Sequence, residues 1–432
     1  MDKITRYLIL LFICIVFFAL APLIVIYVSG KGLNFSDSTN GTGILDVQTE
    51  PSSAQVYLNG KKSDTTPATM RFVQQGTYQI EIKKDGYRNW SKSLFIEAGK
   101  VTYAGSLDEA IILLPESTPV NFTDKIVGSA LVINNQVLFS SVDKTITLYD
   151  LNEKKIVNQS KALPEEIIKF KETQSNNFVI ATSSSGKLSL LDVSSLKLVD
   201  LPTQFKDSSN INIISENIIV ALKDNSIYSY NLKTKGTAKV ILDDVRGFTL
   251  NDNIIYAAKS GTDSLQTYYW DGKTLTKQGV LFAGEILKGK STQLFLTDHK
   301  ELFLLVDSSL FRINSQPELL NNQVQLVNFN SARQELTFTT PTEIYFYNFI
   351  SSKTELFYRN SQTLTQAVVV PELGYGFVST TKDVTAVEID NRNGQNRYSL
   401  LENNTPSMMQ LSGNENQLVV LAGKKLYSII VN

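Results

Sequence analysis

Short runs of alternating apolar and polar residues, each stopping at an acidic or amide residue, recur along most of the chain. One is Thr145-Ile146-Thr147-Leu148-Tyr149-Asp150, and others end at Asp192 and Asn231. Looser copies end at Asp271, Asn314, Asn348 and Asp390, and a last one runs from Lys425 to Val431. Period-2 alternation and the Ile, Leu, Tyr and Phe content predict a β-strand for each. A more solid apolar run precedes every copy, as in Gln136–Phe139, Phe178–Ala181, Ile218–Ala221, Leu302–Leu305 and Leu418–Leu421. Solid runs suit strands buried on both faces, and alternating runs suit strands further out. A third run precedes most pairs, as in Ile167–Phe170 and Ile211–Ile214, and a short one follows, as in Ile156-Val157 and Leu198-Val199. The pairs start roughly 34 to 48 residues apart, the spacing of four-stranded propeller blades. The pattern predicts an all-β fold with a propeller of about eight blades over residues 128–432.

The first 28 residues break this pattern. Tyr7 to Val28 carries no charge. At about 1.5 Å per residue a helix of that length spans a hydrocarbon core of roughly 30 Å. The run is longer than the apolar core of a cleaved signal peptide, and Pro22 follows its only Ala-x-Ala pattern. A signal anchor is therefore expected at 7–28. Lys3 and Arg6 precede it, which puts residues 1–6 in the cytoplasm and the bulk of the chain outside, as a single-pass plasma-membrane protein. Residues 29–42 are polar and read as a flexible spacer.

Residues 43–102 have a third texture of short strands and sharp turns. Gln55-Val56-Tyr57-Leu58 ends at Asn59-Gly60, a type I′ hairpin signal because both residues tolerate positive φ. Thr77-Tyr78-Gln79-Ile80-Glu81-Ile82 alternates cleanly, and Ser93-Leu94-Phe95-Ile96 closes the segment. Four or five strands in so short a stretch predict a small β-sandwich. Gly43-Ile44-Leu45-Asp46-Val47, Pro51-Ser52-Ser53-Ala54, Thr66-Pro67, Gly76-Thr77-Tyr78 and Asp85-Gly86-Tyr87 together resemble a PEGA domain. Ser52 and Ser53 stand where the family's name motif has Glu and Gly. The resemblance implies an extracytoplasmic module of prokaryotic surface proteins, with no catalytic residues of its own.

Residues 103–127 link this module to the array. The last repeat ends at Asn432 without a fourth strand, so a linker strand is expected to complete it. Ile111–Leu114, pairing with Leu426–Ile430, is the expected closing strand, with Val120–Phe122 as the alternative. The strand end Tyr149-Asp150-Leu151 weakly resembles the quinoprotein-like or YVTN-like propeller group, although the docking tryptophans of true quinoproteins are missing.

Composition narrows the chemistry. A net charge of −1 argues against a nucleic-acid binder, which usually carries a basic face. One cysteine, Cys14, excludes an internal disulfide and a multi-cysteine zinc site. The single histidine, His299, falls in a polar Thr297-Asp298-His299-Lys300 turn with no nucleophile suggested nearby. The Asp and Asn residues that close the repeats could form a calcium-binding rim, but each suits a turn that bonds its own backbone. Tyr87 with Trp90, and Tyr268-Tyr269-Trp270, are the candidate ligand contacts, as sugar-stacking rings. Each set also suits packing within its own domain. No catalytic, metal or cofactor site is expected. The expectation is a non-enzymatic envelope protein anchored in the lipid bilayer through residues 7–28, displaying a propeller to a protein or polysaccharide partner. The alternative is an envelope glycan hydrolase or lyase working at the central channel of the propeller.

Overall fold

The computed structural model describes residues 3–28, 41–105, 110–173, 177–208, 210–215, 217–251, 254–260, 262–271, 273–288, 292–297, 301–314, 316–330, 335–349 and 351–432. Eight four-stranded antiparallel sheets follow one another along the C-terminal part of the chain. Blade 1 contains Val127–Ile133, Gln136–Ser141, Ile146–Asp150 and Lys155–Gln159. Blades 2 to 7 repeat that order, beginning at Ile167, Asn210, Val245, Thr292, Leu326 and Leu364. Blade 8 contains Pro406–Leu411, Gln417–Ala422 and Lys425–Ile430. The solid and alternating runs are the second and third strands of each blade. Within blade 3, Lys223 pairs with Ser226 across Asp224-Asn225, both at positive φ, so the two-residue loop matches the twist of its strands.

The core is eight apolar layers, one between each pair of neighbouring blades. Leu131, Leu138 and Leu148 of blade 1 pack on Phe170, Val179 and Leu191 of blade 2. Val132, Val137 and Phe139 of blade 1 meet Val419, Leu421 and Leu426 of blade 8, which closes the ring. A blade with a neighbour on each side buries both faces of its second strand, hence the continuous apolar runs. The first strands are also tied side by side. Asn210 Nδ2 of blade 3 donates to the Phe248 carbonyl of blade 4 at 2.9 Å, and Val132 N of blade 1 donates to Gln410 Oε1 of blade 8 at 2.8 Å.

The closing strand differs from the leading expectation. Val120–Asn121 pairs antiparallel with Ser428 and Tyr427 and completes blade 8. Ile111–Ile112 instead pairs in parallel with Thr49–Glu50. The reason is burial. Ile111 and Leu113 belong to the module's core, and Leu114 packs in the layer between blades 7 and 8. The most apolar linker run is thus claimed by interior positions, while exposed Val120 supplies the edge.

The module contains more strands than expected. A three-stranded sheet joins Ala68–Gln74, Thr42–Val47 and Val101–Tyr103. A four-stranded sheet joins Lys61–Thr65, Gln55–Leu58, Gly76–Lys83 and Trp90–Ile96. Asn59 and Gly60 both have positive φ, as the hairpin reading requires. Leu45, Val47, Val56, Ile80, Ile82 and Ile96 fill the space between the sheets.

The helix Lys3–Val28 covers the stretch expected to span a membrane. Among the described residues, no helix is long and apolar enough to cross a membrane, so the structure does not show that span. Side chains along the helix, including Leu10, Phe12 and Phe18, are exposed. Most of the expected spacer, residues 29–40, and His299 lie outside the described residues.

Candidate functional site

Two polar constellations stand out from the repeating scaffold: the joint between the module and blade 7, and one wall of the central channel. The joint is built on the edge strands of the module. Trp90–Ile96 is the outer strand of one sheet and Val101–Tyr103 of the other. Both meet the turn after the third strand of blade 7. Trp90 is 1% exposed, and its indole N–H donates to Glu388 Oε1 at 2.8 Å. Lys92 Nζ lies 3.2 Å from Glu388 Oε2 and 3.3 Å from Asp390 Oδ2. It also donates to the carbonyls of Asp390 and Gly394. Arg392 pairs with Asp390 and donates to the carbonyls of Tyr103, Ala104 and Gly105. Asn393 Nδ2 donates to the Ser93 carbonyl at 2.9 Å, and Tyr398 OH to the Asn89 carbonyl at 3.0 Å.

Buried charges tolerate this setting only when paired and hydrogen-bonded. Lys92 and Glu388 are both nearly inaccessible, and their two charges face each other with hydrogen bonds on the remaining atoms. Burial alone would raise the Asp390 carboxyl. The Arg392 side-chain and backbone donors, with the Lys92 charge, outweigh it and hold Asp390 below the ordinary aspartate range. Burial, and then the charge of Glu388, push the phenol of Tyr398 up. Tyr375 rises for the same reasons, with Tyr398 also contributing.

The turn that forms this joint is a variant of one used round the ring. Asp150 Oδ1 accepts the N–H groups of Asn152 and Glu153, and Asn231 Oδ1 those of Lys233 and Thr234. Asp192, Asp271 and Asn348 cap their turns alike. The Thr274 hydroxyl, then the N–H groups of Thr274 and Lys273, bring Asp271 down to about 2. These side chains are occupied by their own backbones, and among the described residues no group of three or more His, Cys, Asp or Glu is placed to hold a metal. At blade 7 the same position, Asp390, additionally receives Lys92.

The channel wall is formed by the first strand of blade 2, Ile167–Glu172. Gln410 Nε2 of blade 8 reaches Glu172 Oε1 at 3.4 Å. Blades 8 and 2 are separated by blade 1, so these side chains meet inside the ring. Lys169 and Lys171 take alternate positions and share the strand's other face. Lys171 Nζ lies 3.4 Å from Asn210 Oδ1 of blade 3. These side chains reach solvent, but the channel walls displace much of the bulk water around them. That desolvation lowers Lys171, with the Lys169 charge adding to it, and raises Glu172 against the hydrogen bond from Gln410.

The five candidate contacts fall as follows. Trp90 is engaged in the joint. Tyr87 is half-buried, packs against the module core and bridges Pro115. Tyr268 and Trp270 lie in the layer between blades 3 and 4, and the Tyr268 hydroxyl donates to Gln266 Oε1 at 2.6 Å. Tyr269, between them on the strand, is 41% exposed. The structure therefore brings neither set together as a surface platform.

The joint residues were not singled out from the sequence, although signals existed. In Trp90-Ser91-Lys92-Ser93-Leu94-Phe95-Ile96, Lys92 falls in register with Trp90, Leu94 and Ile96, an inward position. Glu388 stands two residues before the turn aspartate, where blades 1 and 2 carry Leu148 and Leu190.

Comparison with known proteins agrees with this architecture. Residues 42–107 match the PEGA domain family. The C-terminal WD40 domain of Sif2 is similar in fold, with a TM-score of 0.53 at 11% identity, covering 73% of this chain and 98% of that one. The computationally designed Ika8 protein has a TM-score of 0.52 at 11% identity, covering 72% of this chain and 97% of that one. No curated protein matches the sequence. The chain thus carries a PEGA domain at residues 42–107 followed by a β-propeller.

Proposed function

We propose that this chain is a non-enzymatic prokaryotic envelope protein that holds a β-propeller clear of a membrane and uses it to bind a protein or polysaccharide outside the cytoplasm. One observation carries the reading. The chain arrives at the module at Gly41–Thr42, beside Ala98 and Gln75. The propeller docks along the first half of the strand Trp90–Ile96, at Trp90, Lys92 and Ser93, and at Tyr103–Gly105. The three residues beyond that contact, Leu94, Phe95 and Ile96, extend about 10 Å at ~3.3 Å each towards the end where the chain enters. The module is therefore a spacer with separate ends for the N-terminal segment and for the propeller.

Membrane anchoring is supported by the uncharged run Tyr7–Val28, and the orientation by Lys3 and Arg6 ahead of it. Within the propeller class the reading keeps the quinoprotein-like or YVTN-like group, supported by the strand end at Tyr149-Asp150-Leu151. The test is fractionation followed by proteolysis. The chain should stay with carbonate-washed membranes, and protease added to intact spheroplasts should digest the propeller. Release by carbonate would remove the anchor, and full protection of residues 41–432 would reverse the orientation.

A further inference from the structure

We propose that Lys169 and Lys171, on the channel wall of blade 2, form a binding site for an oxyanion, a carboxylate or phosphate carried by the propeller's ligand. The site deepens the binding role proposed above and rests on it for its biological meaning, but the chemistry is carried by the channel itself. Alternation places Lys169 on the same face of the strand as Lys171, whose ammonium reaches Asn210 of blade 3. The described neighbours offer this pair little negative charge. Lys171 has one long contact, to Asn210 Oδ1, and that oxygen also receives Asn212 Nδ2 at 3.4 Å. The amide nitrogen of Asn210 is turned away to the Phe248 carbonyl.

Glu172, the carboxylate next in the chain, takes the alternate position and meets Gln410 instead. Among the described residues, neither lysine forms an ion pair with it. Two like charges brought together in a partly desolvated channel raise each other's energy. An anion placed between them would reverse that term and gain charge-assisted hydrogen bonds from both. Asn212, on the blade 3 side, is a neutral side chain able to donate to the same ligand. The arrangement selects an anionic group small enough to enter the ring.

Calorimetric titration of the full chain in detergent with inorganic phosphate, and separately with acetate, tests the site. Saturable binding of one or both ions is expected, weakened about tenfold or more by Lys171→Gln and by Lys169→Gln, because each removes a charge-assisted bond. Lys239→Gln, at an exposed lysine on the rim of blade 3, should leave binding unchanged. An unchanged melting temperature in each variant separates loss of the site from loss of the fold. Equal weakening by all three substitutions would mean diffuse attraction to surface charge and would overturn the site. No saturable binding by either ion would overturn it as well. Phosphate binding does not depend on the membrane, so failure here alongside retention on carbonate-washed membranes would remove the site and leave the display reading standing.

Discussion

Lys92 carries most of the chemistry of the joint, because it supplies the module's only positive charge in contact with Glu388 among the described residues. Removing one partner of a buried pair leaves an uncompensated charge, at a cost of about 3–5 kcal/mol. Lys92→Met should therefore destabilise strongly, and Lys92→Met with Glu388→Gln should recover much of the loss. Denaturant titrations of the single and double variants form the cycle that measures this coupling, and strict additivity would mean the pair is not coupled. The joint is also sensitive to acid. The folded-state Asp390 carboxyl lies below its ordinary value of 3.8, so its contribution is present above that value and lost as pH falls through the lower, folded value. Hydrogen exchange at Trp90–Ser93 should accelerate below about pH 4, and Asp390→Asn should flatten that dependence. A different residue sets the packing of the ring. A Cβ at Gly247 would stand 2.5 Å from the Thr292 carbonyl oxygen, where the first strands of blades 4 and 5 pass. Gly247→Ala should cost roughly 1–3 kcal/mol by overpacking, seen as a lower melting temperature, and an unchanged one would mean the strands part freely. Single residues were the least legible level in the sequence. Lys92 betrays itself only once its strand is known to bury Trp90 and Leu94, and Glu388 only once the repeats are aligned.

At the level of elements, the paired runs marked the second and third strands of all eight blades, because strands buried between two neighbours must be apolar throughout. The short outer strands were legible only in part, since an exposed edge needs few apolar residues. The closing strand shows the limit. Ile111–Leu114 had the stronger strand pattern, but apolarity measured its burial in the module and the adjoining layer. Val120–Asn121 closes the ring with two residues. Phe122 supports it, stacking on Tyr149 at 4.7 Å and donating its N–H to the Leu426 carbonyl. Replacing residues 119–122 with Gly and Ser should deprotect the amides of Lys425–Ile430 in hydrogen exchange and promote aggregation through the opened edge. Unchanged protection there would mean that blade 8 does not depend on this strand.

For the whole molecule, the central claim is that module and propeller form one rigid unit, locked at blade 7, that sets the propeller apart from the N-terminal segment. The overall order of helix, module and repeats was legible from texture and spacing. Their relative placement was not, because it depends on contacts about 300 positions apart in the chain, such as Trp90 with Glu388. The direct measurement is a spin-label distance distribution. In a Cys14→Ser background, labels at Lys62→Cys on the module and Lys239→Cys on blade 3 should give one narrow distance peak. Adding Lys92→Gln and Trp90→Ala should broaden it while both domains stay folded by circular dichroism. A broad distribution in the unmodified joint, or a narrow one that survives both substitutions, would contradict the claim.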